Sequence, residues 1–330
     1  MTALRFGILG CGLIARTHVA ALRATPGAEV HAVADTAPGR ADAFAARHGV
    51  PHAFDGVDAM LAAGLDAMTI CTPHTVHEQG VLAAARSGVP VLCEKPIAED
   101  LAQAHRMIAA ADSAGIRFGV VFQRRFWPAA QRIRAALDDG RLGPLISGGI
   151  TARLNRGADY YAEPGRGGVL ITQVIHHLDL LQWWMGRARR VTGHCATRVH
   201  HGSGVEDTAG ALIEFASGAI ATVQAGTTFR PGLGIRLWVS DAAGRTAGLV
   251  ENPEGMVGAD DRRSADLPLA AVHDHLAPFH ALQIADFVAA VRDGRDPAVT
   301  GRDGLHALEI VEAIHTSSRT GVTVTLDGPR

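Results

Sequence analysis

The stretch that most constrains the fold is an apolar run, Leu4 to Leu9, that stops at Gly10-Cys11-Gly12-Leu13-Ile14-Ala15 and resumes as a helical pattern to about Arg23. This is G-x-G-x-x-A at a strand-to-helix junction. The first glycine makes a tight turn, the second lets backbone approach a pyrophosphate, and the small third position allows helix and strand to pack closely. Phosphates would rest on the helix amino terminus, where free N–H groups and the dipole favour negative charge. Gly10, Gly12, Leu13 and Ile14 are therefore the expected cradle. A second strand pattern, Val30 to Ala34, ends in Asp35, twenty residues beyond Ala15. An acid at that distance is expected to hold the adenosine ribose hydroxyls. A carboxylate beside the 2′ position repels a phosphate there, so NAD is favoured over NADP. Arg40, close by in sequence, leaves NADP open.

The alternation continues. Ala67 to Cys71 reads as a strand, Thr72-Pro73-His74 turns into a helix near Thr75 to Ser87, and Val89 to Cys93 is a buried strand. A helix follows from about Asp100 to Ala114, with Asp100 and Gln103 at the spacing of a capping pair. Phe118 to Phe122 closes the series. Strand–helix units at this rhythm mean a parallel, doubly wound sheet, an α/β Rossmann domain over residues 1–123. Thr72, Pro73 and His77 follow a strand end and are expected to edge the cofactor.

Lys95, in Cys93-Glu94-Lys95-Pro96, is the only lysine among 330 residues; every other cation apart from histidine is arginine. An ammonium shifts its pKa readily on burial, whereas a guanidinium stays protonated. A lone lysine at the carboxyl end of a buried strand, the edge where open α/β sheets bind ligands, therefore points to proton chemistry.

Beyond residue 123 the pattern changes. Pro128 to Asp139 is amphipathic and stops at Gly140-Arg141-Leu142-Gly143; a polar, glycine-containing stretch with Tyr160-Tyr161 follows. Thr172 to Gly186 is helical, with Ile171, Val174, Ile175, Leu178, Leu181 and Met185 on one face. Thr172, His176, Asp179 and Trp183 fall on a neighbouring stripe. Ala211 to Phe215 and Ala219 to Thr228 form a hairpin across Ser217-Gly218, with further strands at Ile235 to Ser240 and Arg245 to Val250. Helices from about Pro278 to Arg292 and Gly301 to Thr320, and a strand at Val322 to Leu326, complete an α+β domain over residues 124–330 with a large, mainly antiparallel, open-faced sheet. Two domains are also what a chain of this length needs, since it exceeds what one core usually fills. The uncovered face of such a sheet predicts a homodimer or homotetramer.

Net charge is −2 and no basic run suggests a nucleic-acid partner. No stretch is apolar enough to span a bilayer and the amino terminus enters a strand without a leader, so a cytoplasmic protein with no membrane contact is expected. The four cysteines, Cys11, Cys71, Cys93 and Cys195, lack paired spacing and read as reduced thiols. No metal site is expected; His273-Asp274-His275 has no identifiable third ligand.

These residues resemble the glucose–fructose oxidoreductase, inositol dehydrogenase and rhizopine-catabolism dehydrogenase family (Gfo/Idh/MocA) over essentially the whole chain. The resemblance rests on Gly10 to Ala15 with His18, Cys71-Thr72-Pro73 with His77, Glu94-Lys95-Pro96, and Gly140 to Gly143. It continues through Gly167-Gly168-Val169-Leu170 with His176 and Asp179, and His280-Ala281-Leu282-Gln283 with Asp286-Phe287. It implies an NAD(P)-dependent oxidation of a ring secondary alcohol, or the reverse reduction, on a sugar, sugar derivative or cyclitol. It also implies that Lys95 and His176 act near the reacting carbon. Relatives usually carry Asp or Asn four residues before that histidine; here Thr172 stands there and cannot hold a negative charge. Lys95, His176 and Thr172 are the catalytic candidates. Gly10, Gly12, Leu13, Ile14, Asp35, Thr72, Pro73, His77, Glu94 and Lys95 are the cofactor candidates, and Arg125, Tyr160, Tyr161, Asp179 and His280 the substrate candidates. Free lysine, near about 10.4, is too basic for general acid–base work; burial beside a cationic nicotinamide would lower it, and Glu94 would oppose this if it pointed inward. Two other readings stay open: an NAD-dependent glycoside hydrolase or lyase using transient oxidation, and a redox-inactive NAD-binding regulator.

Overall fold

A computed structural model of the chain describes residues 2–157, 160, 167–251 and 269–326. Tyr161 and the side chains of His273-Asp274-His275 lie outside the described residues. The chain packs as two units, residues 1–123 with 273–305, and residues 124–272 with 306–330.

The first unit is built on a six-stranded parallel sheet. Its strands are β1 (Leu4–Leu9), β2 (Ala28–Ala34), β3 (His52–Phe54), β4 (Ala67–Ile70), β5 (Val91–Cys93) and β6 (Phe118–Val120), in the order β3-β2-β1-β4-β5-β6. Helices α1 (Leu13–Ala24), α2 (Arg40–His48), α3 (Val57–Leu61), α4 (His77–Arg86) and α5 (Leu101–Ala114) connect them. The strand order reverses beside β1, which is where a doubly wound sheet opens a ligand crevice at its carboxyl edge. Asp100 caps α5 as its spacing predicts, its Oδ1 accepting the Gln103 N–H at 2.7 Å. A long helix from the second half of the sequence joins this unit. Ile284, Phe287 and Val288 enter its core, and the Gln283 amide donates to the Val120 carbonyl at 2.7 Å.

The second unit holds α6 (Pro128–Asp138), β7 (Leu145–Arg153), a π-turn (Leu170–Val174) running into α7 (Ile175–Met185), and β8 (Ala188–Ala196) to β13 (Val324–Thr325). Between β8 and β13 come β9 (Thr208–Phe215), β10 (Ile220–Gly226), β11 (Gly234–Asp241) and β12 (Thr246–Glu251). The helix shared with the first unit is α8 (Leu269–Asp293), and α9 (Gly301–Thr320) runs on into the second. The seven strands lie in the order β12-β11-β7-β10-β9-β8-β13, antiparallel throughout except for the parallel pair β7–β10.

Strands β7 and β8 are not among the expected ones, and glycine explains why. A Cβ on Gly148 would lie 2.9 Å from the Met185 sulfur, one on Gly149 2.7 Å from the Trp238 indole, and one on Gly193 2.8 Å from Ile314. Each glycine makes room for a close neighbour, and so breaks the alternation by which a strand is recognised. The opposite face of the sheet stays open: Trp238, Leu212 and Ile220 are 37 %, 48 % and 48 % exposed there. Among the described residues no helix is long and apolar enough to cross a membrane.

Candidate active site

In the first unit the turn between β1 and α1 fits a dinucleotide. Gly10 has φ +93°, and a Cβ on it would lie 2.7 Å from the Thr72 nitrogen; the space where a Cβ of Gly12 would point is empty to 4 Å. Helix α1 starts with no side-chain cap and no acid in its first turn, leaving its N–H groups to an anion. At the end of β2, Asp35 accepts the Cys11 N–H and the Ala37 N–H, both at 2.9 Å, with Arg40 Nη1 at 3.9 Å. Those bonds fix the carboxylate beside the glycine turn.

Lys95 follows β5 and is half-buried. Glu94, in contrast, turns inward. Its Oε1 accepts from His18 Nε2 at 2.8 Å, its Oε2 from the Lys95 N–H at 3.2 Å, and His280 Nε2 stands 3.6 Å away. Burial alone would raise this carboxyl, but the two imidazoles more than offset that and hold it well below the usual carboxylate range. Burial pushes His18 down, so the pair is a carboxylate and a neutral ring. Glu94 and His280, expected on cofactor and substrate, are thus brought together behind Lys95. His77 likewise braces the loops, its ring nitrogens 2.9 Å from the Thr72 carbonyl and 3.0 Å from that of Pro96. His74 is pushed down to about 4 by burial, His77 and the Lys95 charge.

His18, Glu94 and His280 offer three ligating atoms within 4.8 Å of one another. Tetrahedral zinc ligands stand about 3.4 Å apart, given bonds of about 2.0–2.2 Å. The 2.8 Å contact between His18 and Glu94 is a hydrogen bond, which holds a proton where an ion would need more room.

In the second unit His176 is the second residue of α7 and is buried. A π-turn carries more residues per turn than the 3.6 spacing assumes, so Thr172 and His176 are not aligned as in a regular helix. The Thr172 hydroxyl donates to the Gly168 carbonyl at 2.6 Å. Arg125 and Asp179 meet each other: Nε and Nη2 donate to the two carboxylate oxygens at 2.8 and 2.6 Å, both side chains are buried, and the guanidinium lies 5.5 Å over Trp183. Tyr160 accepts from the Gln173 amide at 2.7 Å, with Arg156 over its ring. His177 points away to Glu251, 2.8 Å off, which Arg124 also holds. Despite burial, Arg124 and His177 keep that carboxyl down at about 2.

Spacing gave no sign of Glu206 and His315, which meet at 3.4 Å. Burial works against the charged ring, yet Glu206 and Glu312 raise His315 from 6.5 to about 9. The stabilisation this brings is complete below about 6.5 and is lost as pH rises through about 9. The melting temperature of the native chain should therefore fall toward that of His315→Gln between about pH 7 and about pH 10. Parallel melting curves for the two would refute this assignment.

A parallel sheet with a glycine turn and an uncapped helix start at its carboxyl edge, followed by a helix on a mixed sheet, is the plan of a nicotinamide-dependent oxidoreductase. Residues 4–122 match the oxidoreductase family with an NAD-binding Rossmann fold, and residues 134–326 match that family's C-terminal alpha/beta domain. The chain belongs to this family, Gfo/Idh/MocA. It is 30 % identical over 320 residues to the inositol 2-dehydrogenase of Rhizobium meliloti (strain 1021), covering 94 % of this chain and 95 % of that one. It is 31 % identical over 342 residues to the D-apiose dehydrogenase of Paraburkholderia graminis, covering 97 % and 88 %. The WlbA dehydrogenase from Bordetella pertussis, solved with NADH and UDP-GlcNAcA, superposes with a TM-score of 0.85 at 29 % identity, over 99 % of this chain and all of that one (100 %).

Proposed function

We propose that the chain transfers hydride between NAD and a ring secondary alcohol, or the corresponding ketone, of a sugar, sugar derivative or cyclitol, with Lys95 and His176 handling the proton. The observation that carries this is the sole lysine of the chain, half-buried at the carboxyl end of β5 in a family of NAD-binding oxidoreductases. Bound nicotinamide would accept or return the hydride. The work of the chain is to hold the dinucleotide and move one proton. Gly10, Gly12, Leu13 and Ile14 cradle the pyrophosphate, Asp35 takes the ribose hydroxyls, and Thr72 and Pro73 edge the ring. Lys95 Nζ and the His176 ring hydrogen-bond the reacting oxygen, and one of them exchanges its proton. Thr172 steadies the backbone ahead of His176 and carries no proton.

Residues 1–123 serve as the cofactor domain and 124–330 as the domain for substrate and association. The open sheet face with Trp238, Leu212 and Ile220 supports a homodimer or homotetramer, which light scattering after gel filtration tests; a monomer at micromolar concentration would refute it. Buried, unbridged Cys11, Cys71 and Cys93 fit a cytoplasmic site.

Absorbance at the reduced-nicotinamide band, with polyols, inositols, pentoses and hexoses offered in turn, tests the reading. Net reduction of added NAD supports it. Product without net cofactor change supports transient internal oxidation, and binding without turnover on any substrate overturns the enzymatic reading. Asp35 sets the cofactor: removing a like charge at about 4 Å changes the energy by roughly 1–4 kcal/mol. Asp35→Ser should therefore raise the NADP-to-NAD preference by about fivefold or more in kcat/KM; an unchanged ratio would remove Asp35 from the ribose site.

A further inference from the structure

The glycine pair ahead of the His176 helix takes no part in the chemistry above, and its two members are glycine for different reasons. Gly167 sits at φ +81°, a conformation that side chains strain to reach. Gly168 is glycine because of a neighbour: a Cβ on it would fall 2.0 Å from the Glu206 carboxyl carbon. Glu206, on the chain just before β9 and 9 % exposed, therefore lies flat against the Gly168 backbone.

From there it holds the helix start at two points. Its carboxylate Oε1 accepts the Leu170 N–H at 3.0 Å, and its backbone carbonyl accepts the Val169 N–H at 3.0 Å. The Gly168 carbonyl in turn accepts both the N–H (3.1 Å) and the hydroxyl (2.6 Å) of Thr172. Behind the carboxylate, His315 of α9 stands 3.4 Å from Oε2, with Glu312 3.8 Å from its other nitrogen. An anion at a helix amino terminus meets unpaired N–H groups and the positive end of the dipole. This one meets them where the helix begins as a π-turn, so the regular i→i−4 ladder does not by itself set where His176 lies.

We infer that Glu206, backed by His315, is a positioning residue for His176, and that Gly168 is glycine to admit its carboxylate. The inference rests on the reading of His176 as a proton-handling group. Misplacing a reacting group by about 1 Å costs about 10²-fold in rate, so Glu206→Ala should lower kcat by about 10²-fold, with KM little changed. Cofactor affinity should hold, because the cradle belongs to the first unit. Glu206→Gln keeps an oxygen for the Leu170 N–H and should recover most of the loss. Gly168→Ala should lower kcat by about tenfold or more in the parent, yet add little in the Glu206→Ala background, where the carboxylate is gone.

The experiment measures kcat, KM, NADH dissociation constant and melting temperature for these four variants beside His176→Ala. Glu206→Ala within about threefold of the parent in kcat, Gln no better than Ala, or strictly additive losses would each overturn the inference. Should Glu206→Ala not fold, Gly168→Ala carries the test alone: normal kcat in that variant overturns the inference. Normal turnover by His176→Ala instead overturns the reading of His176 as a proton-handling group, on which the inference rests, and the two failures are told apart by that variant.

Discussion

Lys95→Arg should lose turnover by about 10²- to 10⁴-fold, the range that a general acid–base group contributes, while binding NADH with nearly parental affinity. Arginine keeps the positive charge and much of the stem, so any role that needs only a cation survives the change. It cannot give up a proton at any accessible pH, so a role in proton transfer does not survive. The surroundings sharpen the test. Glu94 is turned inward, its carboxylate met by His18 and the Lys95 backbone N–H, two groups that the exchange leaves in place. Cofactor titration by fluorescence and steady-state kinetics on the best substrate of the panel are the two measurements. An arginine variant within tenfold of the parent kcat, a shift of only about 1.4 kcal/mol, would leave the proton to His176 alone.

What the sequence reveals and conceals follows from how each element is buried. The strands of the first sheet are covered on both sides and so appear as short apolar runs, and the glycine turn after β1 is constrained strongly enough to be legible. Strand β7, third from one edge of the other sheet, is hidden by Gly148 and Gly149, because what they accommodate, Met185 and Trp238, lies far away in sequence. Helix α8 is legible as a helix, but periodicity says only that one face is buried, not that the core waiting for it is that of the first unit. The candidate residues divide the same way. Lys95 stands out as the sole lysine, and His176 through a motif. Spacing could not say that Glu94 would face inward, that a π-turn would displace Thr172, or that Glu206, on the approach to β9, would reach Gly168. Those are tertiary facts, each set by the place where two distant segments meet.

The pair Arg125–Asp179 is the case in which this matters most, because both residues are candidates for touching substrate and the structure gives them to each other. Two hydrogen bonds join a guanidinium and a carboxylate that are 7 % and 1 % exposed. Removing one partner of such a pair leaves a charge buried without its counter-ion, at a cost of about 3–5 kcal/mol. Against a domain stability of about 5–15 kcal/mol, Asp179→Ala should lower the unfolding midpoint of the second unit sharply, visible in urea by tryptophan fluorescence, since the Trp183 ring lies against the Arg125 guanidinium. Replacing both by apolar residues of similar volume, Arg125→Met with Asp179→Leu, should recover much of the loss, because it removes the desolvation penalty together with the attraction. A substrate role predicts the reverse order. If Asp179→Ala leaves the midpoint in place and multiplies KM, while the double variant is as inactive as the single, then the carboxylate belongs to the sugar pocket and Arg125 is the residue that aims it.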